Sequence, residues 1–422
     1  MGVTPRMWSA LDKFSSKRTL YNRVGWDHVN KQVEFHPISI KLIPYLIATL
    51  VLLPIVTFCC GAILTLQLFG FLNLDSLPVL TTGAITLLAI TGWFVEAMYL
   101  FSGKDLVHFA NSLIRLDPKL RSGAAPVKPC ETTDHLGPLL HIVVHVAQAY
   151  QYFAVVIFIY FELDPIYLVQ KHIFPIILNY LSYYSTLFTK LVVPPNSNPD
   201  FKLSDILWFL ARLLQIIPCA QVCLALSWTV ILFTVIAHLA LQCIESMDTG
   251  CHNILLRNRY HVDQHICGYA ALRIIVLMAT VEIGAVISLF MTIGMIMCII
   301  LNYVTIKLYA LLPPMIYIIC AVLAILLPGV ILVMLPMIVD IHENGRRVVD
   351  KWKDLLSRRD DKKYLVRRVR SIKLLCVHAE LFGFKVFKCQ KSTKRIYYFA
   401  IVNYTWTALL SVDSSRFVYV LQ

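Results

Sequence analysis

The chain has 422 residues, 58% of them hydrophobic and only 15% charged, with a formal net charge of +13. With a mean hydropathy of +0.69, it lies far outside the mix of a soluble globular domain. The basic excess follows from membrane orientation, as argued below, and does not point to nucleic acid.

The first forty residues are basic and mostly polar, so no cleavable signal peptide is expected. Apolar stretches then recur at roughly 42–63, 77–101, 137–161, 206–243, 274–302 and 308–339. Each is long enough for an α-helix to cross the hydrocarbon layer, which takes about 20 residues. A seventh, less oily stretch runs from 396 to 412 and on toward the C-terminus. The expected fold is therefore all-α: a polytopic membrane protein with seven transmembrane helices. Its segments are 1–41, cytoplasmic; 42–339, the first six spans; 340–395, a basic cytoplasmic helical stretch; and 396–422, the last span.

Lysine and arginine set the orientation, because cytoplasmic loops accumulate them. With seven crossings, 32 of the 38 basic residues fall on the side of the N-terminus and five on the other, with Arg212 inside the fourth span. The N-terminus is expected to be cytoplasmic and the C-terminus extracellular. The stretch 166–193 is apolar enough to be considered a span but carries Lys171, His172, Pro175 and Lys190. Crossing there would place the 17 basic residues of 340–395 outside, so it reads as an outer-loop helix, amphipathic or re-entrant. The fourth span, 38 residues long, must project beyond the bilayer. Pro313, Pro314, Pro328 and Pro336 are expected to interrupt the sixth span and its start. Beyond it, Val348, Val349, Trp352, Leu355 and Leu356 recur at helical spacing beside several basic residues. That pattern reads as an amphipathic helix with a solvated face, a subunit-joining bundle, or an anionic-lipid contact.

In the last segment Asn403, Thr407, Ser411 and Ser414 recur at the helical repeat and share a face. Polar side chains in lipid turn toward protein or a water-filled path. Such a row either bonds to a neighbouring helix or lines a pore. The segment "VRSIKLLCVHAELFGFKVFK", with Phe382, Gly383 and Phe384, and the ending "FVYVLQ", with Gln422, resemble the end of the arthropod insect-type gustatory and odorant receptor superfamily. Ser415 and Arg416 stand where that family's closing motif has threonine and tyrosine, and the chain stops before its phenylalanine. The resemblance, which covers nearly the whole chain in layout, implies a divergent member of that family. It implies a plasma-membrane chemosensory receptor: a ligand-gated, non-selective cation channel opened by a small-molecule tastant or odorant. It also implies a homo- or hetero-tetramer with related receptor subunits, each giving its last helix to a central pore.

For the ligand, the outer halves of the spans supply Thr82, Tyr152, Trp208, Arg212, Gln215, Met291, Met295 and Tyr317 as candidates. Aromatic residues near span ends also serve as interface anchors, and Arg212 can snorkel to the outer headgroups. None of the twelve cysteines falls in an outer loop, so no disulfide framework is expected, and Cys219 and Cys223 read as small core residues. His141 with His145, and His261 with His265, have the spacing of paired metal ligands but no third and fourth partner; no metal or other cofactor is expected. Nor is there a phosphate-binding glycine loop, a nucleophile elbow or a metalloprotease motif, so nothing supports an enzyme. Two other classes stay in view: a G-protein-coupled receptor, which needs the opposite orientation, and a secondary transporter, which needs repeated halves. The orientation is tested by epitope tags before Met1 and after Gln422 on intact cells. Antibody is expected to reach only the C-terminal tag; access to the N-terminal tag alone would overturn both the orientation and the channel family.

Overall fold

The computed structural model describes residues 3–16, 23–122, 136–176, 203–257, 259–310, 312–356, 362–381 and 383–411. In hydrocarbon no water is at hand for the backbone amides and carbonyls, so a chain this apolar must satisfy them within helices. Among the described residues six helical stretches are long and apolar enough to cross: Ile40–Leu68, Leu77–Leu120, Leu136–Ile176, Ile206–Thr249, Thr280–Lys307 and Pro314–Leu356. The chain is an all-α, multi-pass membrane protein, to which two short antiparallel hairpins are added.

In chain order, α1 (Pro5–Ser16) leads into a hairpin of β1 (Val24–Asp27) and β2 (Gln32–Phe35). Next come α2 (Ile43–Ile47), α3 (Leu53–Leu68), α4 (Ser76–Ser122), α5 (Leu136–Tyr160) and the short α6 (Pro165–Leu168). Then follow α7 (Leu203–Leu214), α8 (Ile216–Arg257), α9 (Arg259–Met278), α10 (Thr280–Lys307) and α11 (Pro314–Leu356). The chain closes with α12 (Lys362–Ser371), the hairpin of β3 (His378–Leu381) and β4 (Phe384–Lys388), and α13 (Lys391–Ser411).

Two expectations about helix continuity are corrected. The fourth span is not one helix: α7 ends and α8 begins around Gln215, whose amide closes a tighter turn onto Arg212 at 3.3 Å. Pro218 explains the break, since it has no amide to offer the carbonyl four residues back. The sixth span is interrupted only at its start, where α10 ends at Lys307 and α11 begins at Pro314; Pro328 and Pro336 lie inside a continuous α11. Packing within a membrane bundle tolerates such prolines. Helix α8, at 42 residues, and α4, at 47, both outrun a bilayer.

The N-terminal segment is built into the bundle. Met7, Ala10, Leu11 and Phe14 of α1 are fully buried, and Phe14 stacks on Trp228 of α8 at 5.6 Å. The β1–β2 hairpin is fastened to α4 by Asn111, which accepts from the Val33 amide (2.9 Å) and donates to its carbonyl (2.8 Å). The segment 340–395 holds the rest of α11, then α12, then a hairpin that helical spacing did not foresee. Gly383 sits at its turn with φ +82°, a conformation that a side chain disfavours. Phe384, beside it, is exposed, and Phe382 lies outside the described residues. Of the stretch 166–193, residues up to Ile176 are helical; 177–193 also lie outside.

Close approach and buried polar contacts hold the spans together. Helices α4 and α8 cross at Gly92, where an added Cβ would lie 2.5 Å from Cγ2 of Val222. One turn along α4, fully buried Glu96 accepts from the Tyr45 hydroxyl of α2 and the Gln221 amide of α8. Further on, Tyr99 and Thr229 share a hydrogen bond of 2.6 Å. Small residues at crossings and polar pairs between helices are how membrane bundles adhere when the solvent is as apolar as they are. Gly92→Ala is therefore expected to destabilise the bundle by about 1–3 kcal/mol, with Val222→Ala in the same chain recovering most of the loss. Thermal melting of the purified protein in detergent checks both, and a double variant no better than Gly92→Ala would sink the account.

Candidate functional site

The spans border a partly open cavity of about 420 Å³, within the range of small-molecule sites. Its wall comes mainly from α4, α5, α8, α10 and α11, with smaller contributions from α3, the start of α6 and α13, and is overwhelmingly apolar. Few polar side chains reach it, among them Thr81, Asp164, Gln215, Ser227 and the phenols Tyr150 and Tyr397. An apolar container with a few placed polar groups suits a small, largely hydrophobic organic molecule.

One end is closed by an ion-paired cluster. Asp164 caps α6 by accepting from the Tyr167 amide at 2.9 Å, and Pro165 holds the first helical position. The same carboxylate accepts from Arg212 (2.9 Å from Nε and 2.7 Å from Nη2) and from the Gln215 side chain (3.0 Å). Arg212 also donates to the Ile159 carbonyl at 2.8 Å, and its guanidinium lies 4.8 Å from the centre of the Tyr167 ring. Both charges are nearly buried, with side-chain exposures of 15% for Arg212 and 3% for Asp164. The arginine is thus occupied in joining α5, α6 and α7.

The ligand candidates are placed unevenly. Gln215 and Met291 line the cavity. Arg212 does not, because Asp164 holds it. Tyr152 is half exposed on the outside of α5, whereas Tyr150, about 200° away round the helix, is on the wall. Thr82 is fully buried off the wall, its hydroxyl without a hydrogen-bond partner among the described residues, while Thr81 lines it. Trp208 packs edge-on against Phe174 at 5.4 Å on the break-side helix α7. Met295 and Tyr317 are half-buried beside the wall, on neighbouring faces of α10 and α11. Asp164, Tyr150 and Tyr397 were missed, as was the place of Cys219, Cys223 and Cys320 on the cavity wall. Gly383 and Phe384 are not part of the wall. Among the described residues no group of three histidine, cysteine or acidic side chains could hold a metal ion; Lys13 and His145 instead pair with each other at 2.9 Å.

Helix α13 has two different faces. One is fastened to α10: the Tyr397 hydroxyl donates to the Met291 carbonyl (2.8 Å), Asn302 reaches Thr405 (3.5 Å) and the Lys307 ammonium donates to the Leu409 carbonyl (2.7 Å). On the other, Asn403, Thr407 and Ser411 are exposed together with Val402, Trp406 and Leu410. The Thr407 hydroxyl donates to the Asn403 carbonyl at 2.9 Å, the usual way a threonine settles in a membrane helix. Ser414 and Gln422 lie outside the described residues.

No family model and no curated protein matches the chain. Solved structures do. The structure of the insect olfactory receptor OR5 from Machilis hrabei aligns with a TM-score of 0.57 at 10% identity, covering 96% of this chain and 97% of that one. The chain has the fold of an insect olfactory receptor. The structure of the same receptor in complex with eugenol aligns with a TM-score of 0.53, again at 10% identity and with the same coverage. At this identity the olfactory-receptor likeness concerns the path of the backbone, and the residues on the cavity wall are this chain's own.

The ion pair at the end of the cavity carries a test. Arg212→Met leaves Asp164 buried without its cation and is expected to cost about 3 kcal/mol. Asp164→Asn added to it removes the stranded charge and restores part of the stability. Thermal melting in detergent reads both, and a single variant as stable as the starting protein would show that the pair holds nothing.

Proposed function

We propose that this chain is the subunit of a chemosensory receptor of the plasma membrane, a ligand-gated, non-selective cation channel that assembles as a tetramer of one or of related subunits. The observation that carries the reading is the two-faced α13. It is anchored to its own bundle along one side and leaves Asn403, Thr407 and Ser411 exposed on the other. In a bilayer such a polar row needs protein or water against it. Four copies around a common axis would supply a water-filled path lined by amide and hydroxyl dipoles, which carry cations without strong selection. Val402 and Leu410, both more than half exposed, would form the constriction that closes it by dewetting.

The cavity between α4, α5, α8, α10 and α11 is the ligand site in this reading. The olfactory-receptor fold and the eugenol complex of a protein sharing it support a small apolar molecule, odorant or tastant, as the occupant. The transporter reading loses its main sequence feature, since Pro328 and Pro336 lie in an unbroken helix. A G-protein-coupled arrangement draws no support from this fold.

Cysteine substitution tests the pore. In cells expressing the chain, with eugenol as the first probe in an odorant panel, a charged methanethiosulfonate reagent is expected to block most of the current in Asn403→Cys, Thr407→Cys and Ser411→Cys. Thr405→Cys, which faces α10, is expected to be spared. Normal currents and unreactive thiols at all three row positions would sink the proposal.

A further inference from the structure

Among the described residues Tyr397 is the one side chain of α13 that reaches the cavity wall. It is 7% exposed, and its hydroxyl donates to the carbonyl of Met291, which also lines the cavity. Gly294 lies a turn further along α10. A Cβ built there would be 3.4 Å from the Tyr397 hydroxyl and 3.4 Å from Cδ1 of Ile331. The missing side chain is what lets the phenol settle between α10 and α11. The other two anchors of α13, at Thr405 and Leu409, lie further along the helix, and neither they nor their partners Asn302 and Lys307 are on the cavity wall.

Resting on the channel reading, we infer that Tyr397 is the positioning residue through which occupancy of the cavity is transmitted to the pore helix. A ligand shifts a conformational equilibrium only by contacting its two states differently. Of the three tethers between α13 and α10, the phenol is the one a molecule in the cavity can touch. An occupant at that end either presses on the ring or offers an acceptor that competes with the Met291 carbonyl for the phenolic proton. Either action loosens one end of α13 from α10. Asn403 and Thr407 follow Tyr397 by six and ten residues on the same unbroken helix. At about 1.5 Å per residue they stand roughly 9 and 15 Å away, so a swing of the released end about the tethers kept at Thr405 and Leu409 tilts the whole row.

The experiment is a double-variant cycle on resting current in cells expressing the full chain. Tyr397→Phe keeps the ring and removes the tether. Gly294→Val pushes on the hydroxyl from the wall, as an occupant would. Each is expected to raise resting open probability about fivefold, the size of one neutral hydrogen bond, with unchanged surface expression. Because both act through one bond, the double variant is expected to match the single ones, not their product. Tyr398→Phe is the control: that hydroxyl has no hydrogen-bond partner among the described residues, and its loss is expected to change nothing. Resting and evoked currents in Tyr397→Phe indistinguishable from those of the starting protein would overturn the inference, and so would fully multiplicative effects in the double variant. Since Tyr397→Phe alone decides the first point, failure of Gly294→Val to reach the surface does not rescue it. Absence of current above background in every variant and in the starting protein would instead bring down the channel reading itself.

Discussion

A carboxylate buried where no water reaches is the constraint around which the bundle is arranged. Glu96 is fully buried on α4, and it accepts from Tyr45 on α2 and Gln221 on α8. Helices in lipid gain little from burying one apolar surface against another, so a polar group that must find partners decides which helices meet and at what depth. With Glu96 fixed, α4 and α8 are brought to the close crossing at Gly92 and to the contact between Tyr99 and Thr229. Helix α8 then carries the tryptophan on which α1 packs. The Asp164 and Arg212 pair repeats the principle at the end of the cavity, where the ion pair joins α5, α6 and α7.

These fixed points leave room between them. The helices are held apart at one end by the cluster around Asp164 and drawn together lower down at Gly92, and the space that remains is the cavity. Its emptiness of charge follows from that arrangement: the ionisable groups near it are already committed to one another. Selectivity among apolar molecules then rests on shape and on a handful of hydroxyls, thiols and amides, which sets no steep penalty against related compounds.

Much of this architecture was legible in the sequence because length and oiliness are one-dimensional properties. The six long spans appear where apolar runs predicted them, and the fold likeness agrees with the resemblance carried by the terminal segment. What escaped was angular. Tyr150 and Tyr152 are equally plausible by composition, and only the neighbours of α5 decide which faces in. Met291 and Met295 are one turn apart, yet four residues advance the helix by about 400°, and the extra 40° carries Met295 past the edge of the wall. Arg212 read as a candidate because Asp164, 48 residues earlier, could not be recognised as its partner before the chain folded. The β3–β4 hairpin hid behind a basic composition that also fits a helix; the glycine at 383 was its clearest signal.

The prolines of α11 have a mechanical side. Each deletes an amide, so the carbonyls of Ala324 and Leu332, four residues before Pro328 and Pro336, lose their donors within the helix. Both sites fall within the stretch of α11 that forms the cavity wall, where Leu327 and Ile331 face inward. That wall is consequently the compliant one: α11 can bow at two points without unwinding, while α10, its neighbour, contains no proline and stays stiff. Molecules of different girth can be accommodated by flexing one wall of the container against a rigid adjoining one, and the stiff wall is the one to which α13 is tied.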